Sequence, residues 1–282
     1  MQPTLENVVK ELPGYLSNFT HMMTNPSALV RDHVAADNPK ARLEQSITFL
    51  FLSFAIAVVL AVVFPEVTNP VQLVGDEKGL AAHAFAAIRL LFELLGLATL
   101  AYLAVKITGV QSGFQRFFGL ICAACGLILV IQIFAASLTN ISMADPVTAK
   151  AWIAMEKGME KLRPLIEQGV LCSTDAHTGE VNADHQLASL FKTQLAALQV
   201  TYERATDRPL YQLATGLQGL AMLVLLIWCG RVWFLYLKSH ALSTGKMILA
   251  TGLLVVFAGA GMLVYELVNT GVAMMSLYRQ CE

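Results

Sequence analysis

The sequence of 282 residues predicts an all-helical, polytopic integral membrane protein, with five transmembrane helices and an outer helical hairpin just ahead of the fourth. Composition points there first: 56% of residues are hydrophobic and 14% charged, and the mean hydropathy of +0.60 lies outside the range of ordinary soluble domains. Segment length points there second. A helix rises about 1.5 Å per residue, so crossing a hydrocarbon layer about 30 Å thick takes roughly 20 mostly apolar residues. Five segments meet that demand, at 47–64, 80–105, 117–139, 210–237 and 247–270. The distribution of Lys and Arg then orients them, because short basic loops stay in the cytoplasm. Lys10, Arg31, Lys40 and Arg42 precede the first span, Lys106 and Arg116 flank the loop between the second and third, and Lys238 and Lys246 flank that between the fourth and fifth. The short segments of the opposite side hold only Lys78 and Arg279. The N-terminus is therefore expected in the cytoplasm and the C-terminus outside.

Residues 1–44 mix Glu6, Lys10, Glu11, Asp32, Asp37 and Lys40 with prolines, which predicts one or two amphipathic helices, broken at Pro13, Pro26 and Pro39, at the inner membrane face. No basic start runs directly into an apolar stretch, so no cleaved signal peptide is expected and the first span stays in the protein. Residues 45–139 hold spans one to three. In the loop at 140–208, Asp145-Pro146 reads as an N-cap followed by proline at the first helical position. Behind it Trp152, Met155, Met159, Leu162 and Ile166 recur at spacings of three and four, up to Gly169. A second stripe, Leu187, Phe191, Leu195, Leu198 and Tyr202, has Asp184 as its N-cap and ends near Pro209. These two helices form the expected extracytoplasmic hairpin, and residues 209–282 supply spans four and five with an outer tail.

Several function classes fall away. With 19 Lys and Arg against 20 Asp and Glu there is no basic excess for nucleic acid. Cys122 and Cys125 have the Cys-x-x-Cys spacing but lie in mid-span with no preceding strand, so they read as packing residues. Met22, Met23, Met274 and Met275 make no cofactor box, and no phosphate loop, nucleophile elbow or catalytic carboxylate pair stands out, so neither a cofactor nor an enzyme is expected. The hairpin linker gathers Cys172, Asp175, His177, Glu180, Asp184 and His185, but their spacing matches no ligand pattern and suits a solvated turn, so no metal is expected.

The sharpest polar signal is Arg89 and Glu93, four apart inside the second span and so stacked on one helix face. By the helix rise they lie roughly 13 and 20 Å below the outer surface, and Gln132 and Gln218 come to about the depth of Arg89 in their own spans. His83 sits near the outer mouth. An intramembrane polar layer of Arg89, Glu93, Gln132, Gln218 and His83 is expected, serving either as an internal ion pair with amide partners or as a route for a small solute or proton. Arg231 and Glu266 lie close enough to an interface to snorkel. Small residues at Gly119, Cys122, Ala123 and Gly126, at Thr215 and Gly219, and at Ala258 and Gly261 allow close helix approach, within the bundle or between copies of the chain.

Three stretches share wording with one family: "MMTNPSALV" followed by "ARLEQSITFLFLSFAIAVV", "KITGVQSGFQRFFGLICAACG", and "LYLKSHALSTGKMILATGLL". Here the chain resembles the bacterial branch of the Ypt-interacting protein (YIP) family, at Asn25-Pro26, at Gly109 with Gly113-Phe114, and at a turn of His240, Leu242, Ser243 and Lys246. The resemblance implies five spans behind a cytoplasmic Pro-containing segment, a bacterial inner-membrane location, and a role in binding partners rather than in catalysis. The hairpin departs from the family's usual short loop.

The function expected from these readings is a non-enzymatic membrane scaffold or assembly partner. It would lie in the lipid bilayer and dock another membrane or periplasmic protein, or a second copy of itself, through the hairpin stripe of Trp152, Met155, Met159 and Leu162. That stripe can pack on the second helix, on a partner, or on both, with packing on the second helix the default. The alternative is a transporter or channel subunit using the polar layer. A lipid-modifying enzyme built on His83 and Glu93 would lack a nucleophile.

Overall fold

A computed structural model of the chain describes residues 5–64, 80–110, 112–167 and 185–280. Every regular element among them is helical: α1 (Leu5–Thr24), α2 (Pro26–Val34), α3 (Pro39–Val63), α4 (Leu80–Ile107), α5 (Phe114–Ser137) with a 3₁₀ turn (Leu138–Ala144), α6 (Pro146–Glu167), α7 (His185–Thr206), α8 (Pro209–Ser239) and α9 (Thr244–Gln280). Among the described residues four helical stretches are long and apolar enough to cross a membrane: Pro39–Val63, Phe114–Ala144, Pro209–Ser239 and Thr244–Gly261. The segment expected as the second span is the 28-residue α4.

Two helices start from the same local device. Asn25 and Asn38 each precede a proline, and their side-chain oxygens accept from the backbone N–H of Ala28 and Ala41, both at 3.1 Å. Proline at the first helical position gives up a donor that has no intrahelical partner, while the asparagine satisfies another. Pro26 and Pro39 therefore begin helices, whereas Pro13, expected to break one, lies inside α1.

The described residues divide into two compact units. The first holds α1 to α4, α5 as far as Ala135, α8 from Gly219 and α9 as far as Gly261. Its hub is α5: 61% of its apolar stretch is buried, against 28% for α3 and 6% for α9. Glycine allows this closeness. A side chain at Gly126 would strike Ser53 and the Phe49 ring, and one at Gly119 would meet His33 and the Leu43 backbone, so α5 lies tight against α3. Gly219, by contrast, has open space beside it among the described residues, so no neighbouring helix of the same chain packs close there. The amphipathic α1 packs on α3 and α8. Tyr15 is buried, stacks on Phe49 at 4.9 Å and bonds Ser53 at 2.9 Å; the Ser53 hydroxyl donates to the Phe49 carbonyl, so Tyr15 is the donor. At the other end of α1, Trp228 Nε1 of α8 donates to the Met23 carbonyl at 3.1 Å.

The second unit holds the 3₁₀ turn, α6, α7, α8 as far as Gln218 and α9 from Met262. Here α6 and α7 run antiparallel around a core of Trp152, Met155, Leu162, Leu198 and Ala205, with Met159, Phe191 and Tyr202 at its edge. Gly158 makes room for Leu198, which occupies the space a side chain on that residue would need.

Candidate functional site

The three family-like stretches, far apart in sequence, meet at one end of the first unit. Arg116, at the start of α5, donates from Nη2 to the Ala36 carbonyl in the α2–α3 turn at 3.2 Å. Lys106, in the last turn of α4, donates to the Ser112 carbonyl at 3.1 Å and lies 5.3 Å from the Tyr102 ring centroid. Lys246, near the start of α9, reaches over Gly109, which has the left-handed φ of +87° that glycine tolerates. His240 packs edge-on against Tyr236 at 4.8 Å, and burial together with the nearby Arg116 holds its pKa below the ordinary histidine value. Ala241 beside it takes a φ of +51°, a strained choice for a residue with a Cβ. Leu242 is half-buried, and Ser243 supplies the carbonyl for the first bond of α9, from Met247 N–H at 3.0 Å.

Within this end lies a residue that the sequence reading did not single out. His33 is 1% exposed; Nδ1 donates to the Leu29 carbonyl at 2.7 Å and Nε2 pairs with the Ser46 hydroxyl at 2.9 Å. Ser46 also faces the Arg42 carbonyl at 2.9 Å. With a neutral imidazole the single hydroxyl proton is shared between Nε2 and that carbonyl, whereas a charged imidazole would donate from both nitrogens and free the hydroxyl for Arg42. Burial decides between the two: it pushes the imidazole down to about 4, against the opposing pull of the bond to Leu29.

The expected polar layer is placed residue by residue. Arg89 Nε and Glu93 Oε1 form the i,i+4 pair at 3.0 Å, but their side chains are 56% and 40% exposed, so the pair sits on an outward face of α4. Gln132 belongs to the same unit, and its buried side-chain carbonyl has no hydrogen-bond partner among the described residues. Gln218 belongs to the second unit. The side chain of His83 lies outside the described residues, as does that of Glu266, while Arg231 is exposed on α8.

The stripe of Trp152, Met155, Met159 and Leu162 is turned onto α7, with Trp152, Met155 and Leu162 buried, Met159 half-buried, and Trp152 packing edge-on against Tyr202 at 6.2 Å. Leu195, expected on the facing stripe, is exposed instead. Asp145 caps α6 as expected, its Oδ1 accepting from Val147 N–H at 2.8 Å. Linker residues Cys172, Asp175, His177, Glu180 and Asp184 lie outside the described residues, as does the His185 side chain. Among the described residues no group of three or more His, Cys, Asp or Glu is placed to hold a metal ion. Cys122 and Cys125 are buried free thiols against Leu50 of α3.

No protein-family model, curated protein or solved structure matches the chain.

Proposed function

We propose that the protein is a non-enzymatic scaffold of the membrane, with α3, α4, α5, α8 and α9 as its five spans, which binds another membrane or extracytoplasmic protein through the outward faces of α6 and α7. One observation carries this reading. The helix pair closes its own core and still leaves five large apolar side chains exposed, Val147, Ile153, Leu190, Leu195 and Val200, and a partner seated on them would remove that apolar surface from water. A preformed pair with uncovered apolar residues is suited to docking, because little ordering entropy remains to be lost on binding. The docking residues are thus distinct from the expected stripe. A likeness to the YIP family, whose eukaryotic members bind partners, agrees with this role.

The transport alternative draws on the Arg89–Glu93 pair of α4, whose side chains are both exposed. Native mass spectrometry of the full chain, extracted with its lipids, tests the scaffold reading. A second protein held at fixed stoichiometry, and released by Ile153→Lys with Leu195→Lys, is the expected result. A chain that travels alone in both forms overturns it.

A further inference from the structure

We infer that the depression between α2 and the end of α8 seats the headgroup of an anionic phospholipid. Its volume is about 430 Å³, and its wall combines two cations, Arg31 and Lys238, with Ser27 and the apolar Val30, Val34 and Leu235. The inference is independent of any protein partner and rests only on α8 crossing the membrane. Lys238 stands at the last turn of α8, where the apolar stretch ends, which is the level at which headgroup phosphates lie. Both cations are available. The Arg31 side chain is 74% exposed and its ion contact is a long one, 3.8 Å to the adjacent Asp32, whose other oxygen faces Arg42 at 3.5 Å. Lys238 pairs with no described carboxylate. Ser239 also lines the depression, and its hydroxyl proton is committed to the Tyr236 carbonyl at 2.7 Å.

Two cations over an apolar wall match a phosphate oxyanion attached to an acyl chain. A free phosphate would use the charges and leave the half-buried Val34 and Leu235 facing water, whereas a lipid would cover them. A net negative headgroup is favoured over a zwitterionic one because nothing in the depression pairs with a choline or ethanolamine cation; Asp32 is already shared between Arg31 and Arg42.

The test uses the full chain in nanodiscs or detergent, with native mass spectrometry reading bound lipid at equal concentrations of phosphatidylglycerol and phosphatidylcholine. With about 1 kcal/mol per cation near the surface, a preference for phosphatidylglycerol of about tenfold or more is expected. Arg31→Gln with Lys238→Gln should abolish it, while Arg31→Lys with Lys238→Arg should retain it. Lys40→Gln with Lys246→Gln, which removes equal charge outside the depression, should leave it unchanged. No preference in the unaltered chain overturns the inference whatever the variants do. An equal loss in the Lys40 and Lys246 variant also overturns it, because general surface charge would then suffice. Displacement of phosphatidylglycerol by millimolar inorganic phosphate, with phosphate binding alone, assigns the depression to a free anion and overturns the lipid.

Discussion

Asp145 and Arg208, 63 residues apart in sequence, are joined by a 2.7 Å bond from Arg208 Nε to Asp145 Oδ2, while the other carboxylate oxygen caps α6. One side chain thereby fixes both where the helix pair begins and where it returns, just before Pro209 starts α8. The Arg208 bond, helped by the cap, holds the Asp145 carboxyl below the usual carboxylate range. Because the folded form binds its proton less readily than the unfolded chain, this stabilisation is present above the ordinary aspartate value near 4 and is lost as pH falls through the lower folded value.

Asp145→Asn should keep the cap and lose the ion pair, and Asp145→Ala should lose both. Hydrogen exchange at the first-turn amides of α6 is expected to rise in the order native, Asn, Ala, and Arg208→Gln should resemble Asp145→Asn. Equal exchange in all four would show that the bond does not organise the pair.

Gly158 and Leu198 offer a coupled test. Gly158→Ala forces Leu198 aside and is expected to cost about 1 kcal/mol or more, as overpacking does. With Leu198→Ala already present the same change should cost nothing or stabilise by up to about 1 kcal/mol, since alanine is the better helix former. Thermal unfolding of the four proteins measures the coupling; additive effects would contradict the described packing.

The contact of α5 with α3 makes a contrasting prediction for two glycines. Gly126→Ala should destabilise by about 1–3 kcal/mol, because the new methyl meets Ser53 and the Phe49 ring, itself held under Tyr15. Gly219→Ala, with open space around it, should be neutral or mildly stabilising in the same assay.

His33 should give the protein a pH dependence of its own. Its folded value of about 4 lies below the ordinary 6.5, so protonation favours the unfolded chain. Stability should be full above about pH 6.5, decline as pH drops, and level off below about pH 4, a difference of roughly 3 kcal/mol at most. His33→Gln should flatten that slope between pH 7 and 4 in detergent-solubilised protein. Ser46→Ala should cost about 1–3 kcal/mol at pH 7 by leaving the buried Nε2 without its partner.

The sequence made the helices legible because apolar length and periodicity are properties of the chain itself. Helix ends were less so. The first apolar stretch begins at 47, but α3 starts at Pro39, since the Asn38 cap and not hydropathy sets its beginning. The stripe from Trp152 to Leu162 was plain, yet periodicity shows that a face is apolar and not what covers it; α7 does. His33 gave no signal at all, because its partner Ser46 is 13 residues away and comes near only when α2 folds back on α3. Arg89 and Glu93 were paired correctly from their spacing, but spacing is silent on whether the pair faces in or out.

The most direct measurement of the scaffold reading compares two variants of the full chain in native lipids. Ile153→Lys with Leu195→Lys alters the exposed faces of α6 and α7, and Glu93→Gln alters the outward pair on α4. Partner stoichiometry by native mass spectrometry and solute or proton flux in proteoliposomes are then read on both. The account predicts that the first variant loses its bound protein while the second keeps it, with flux unchanged in each. Flux that is present in the native chain and abolished by Glu93→Gln, with no protein bound in either form, would contradict it.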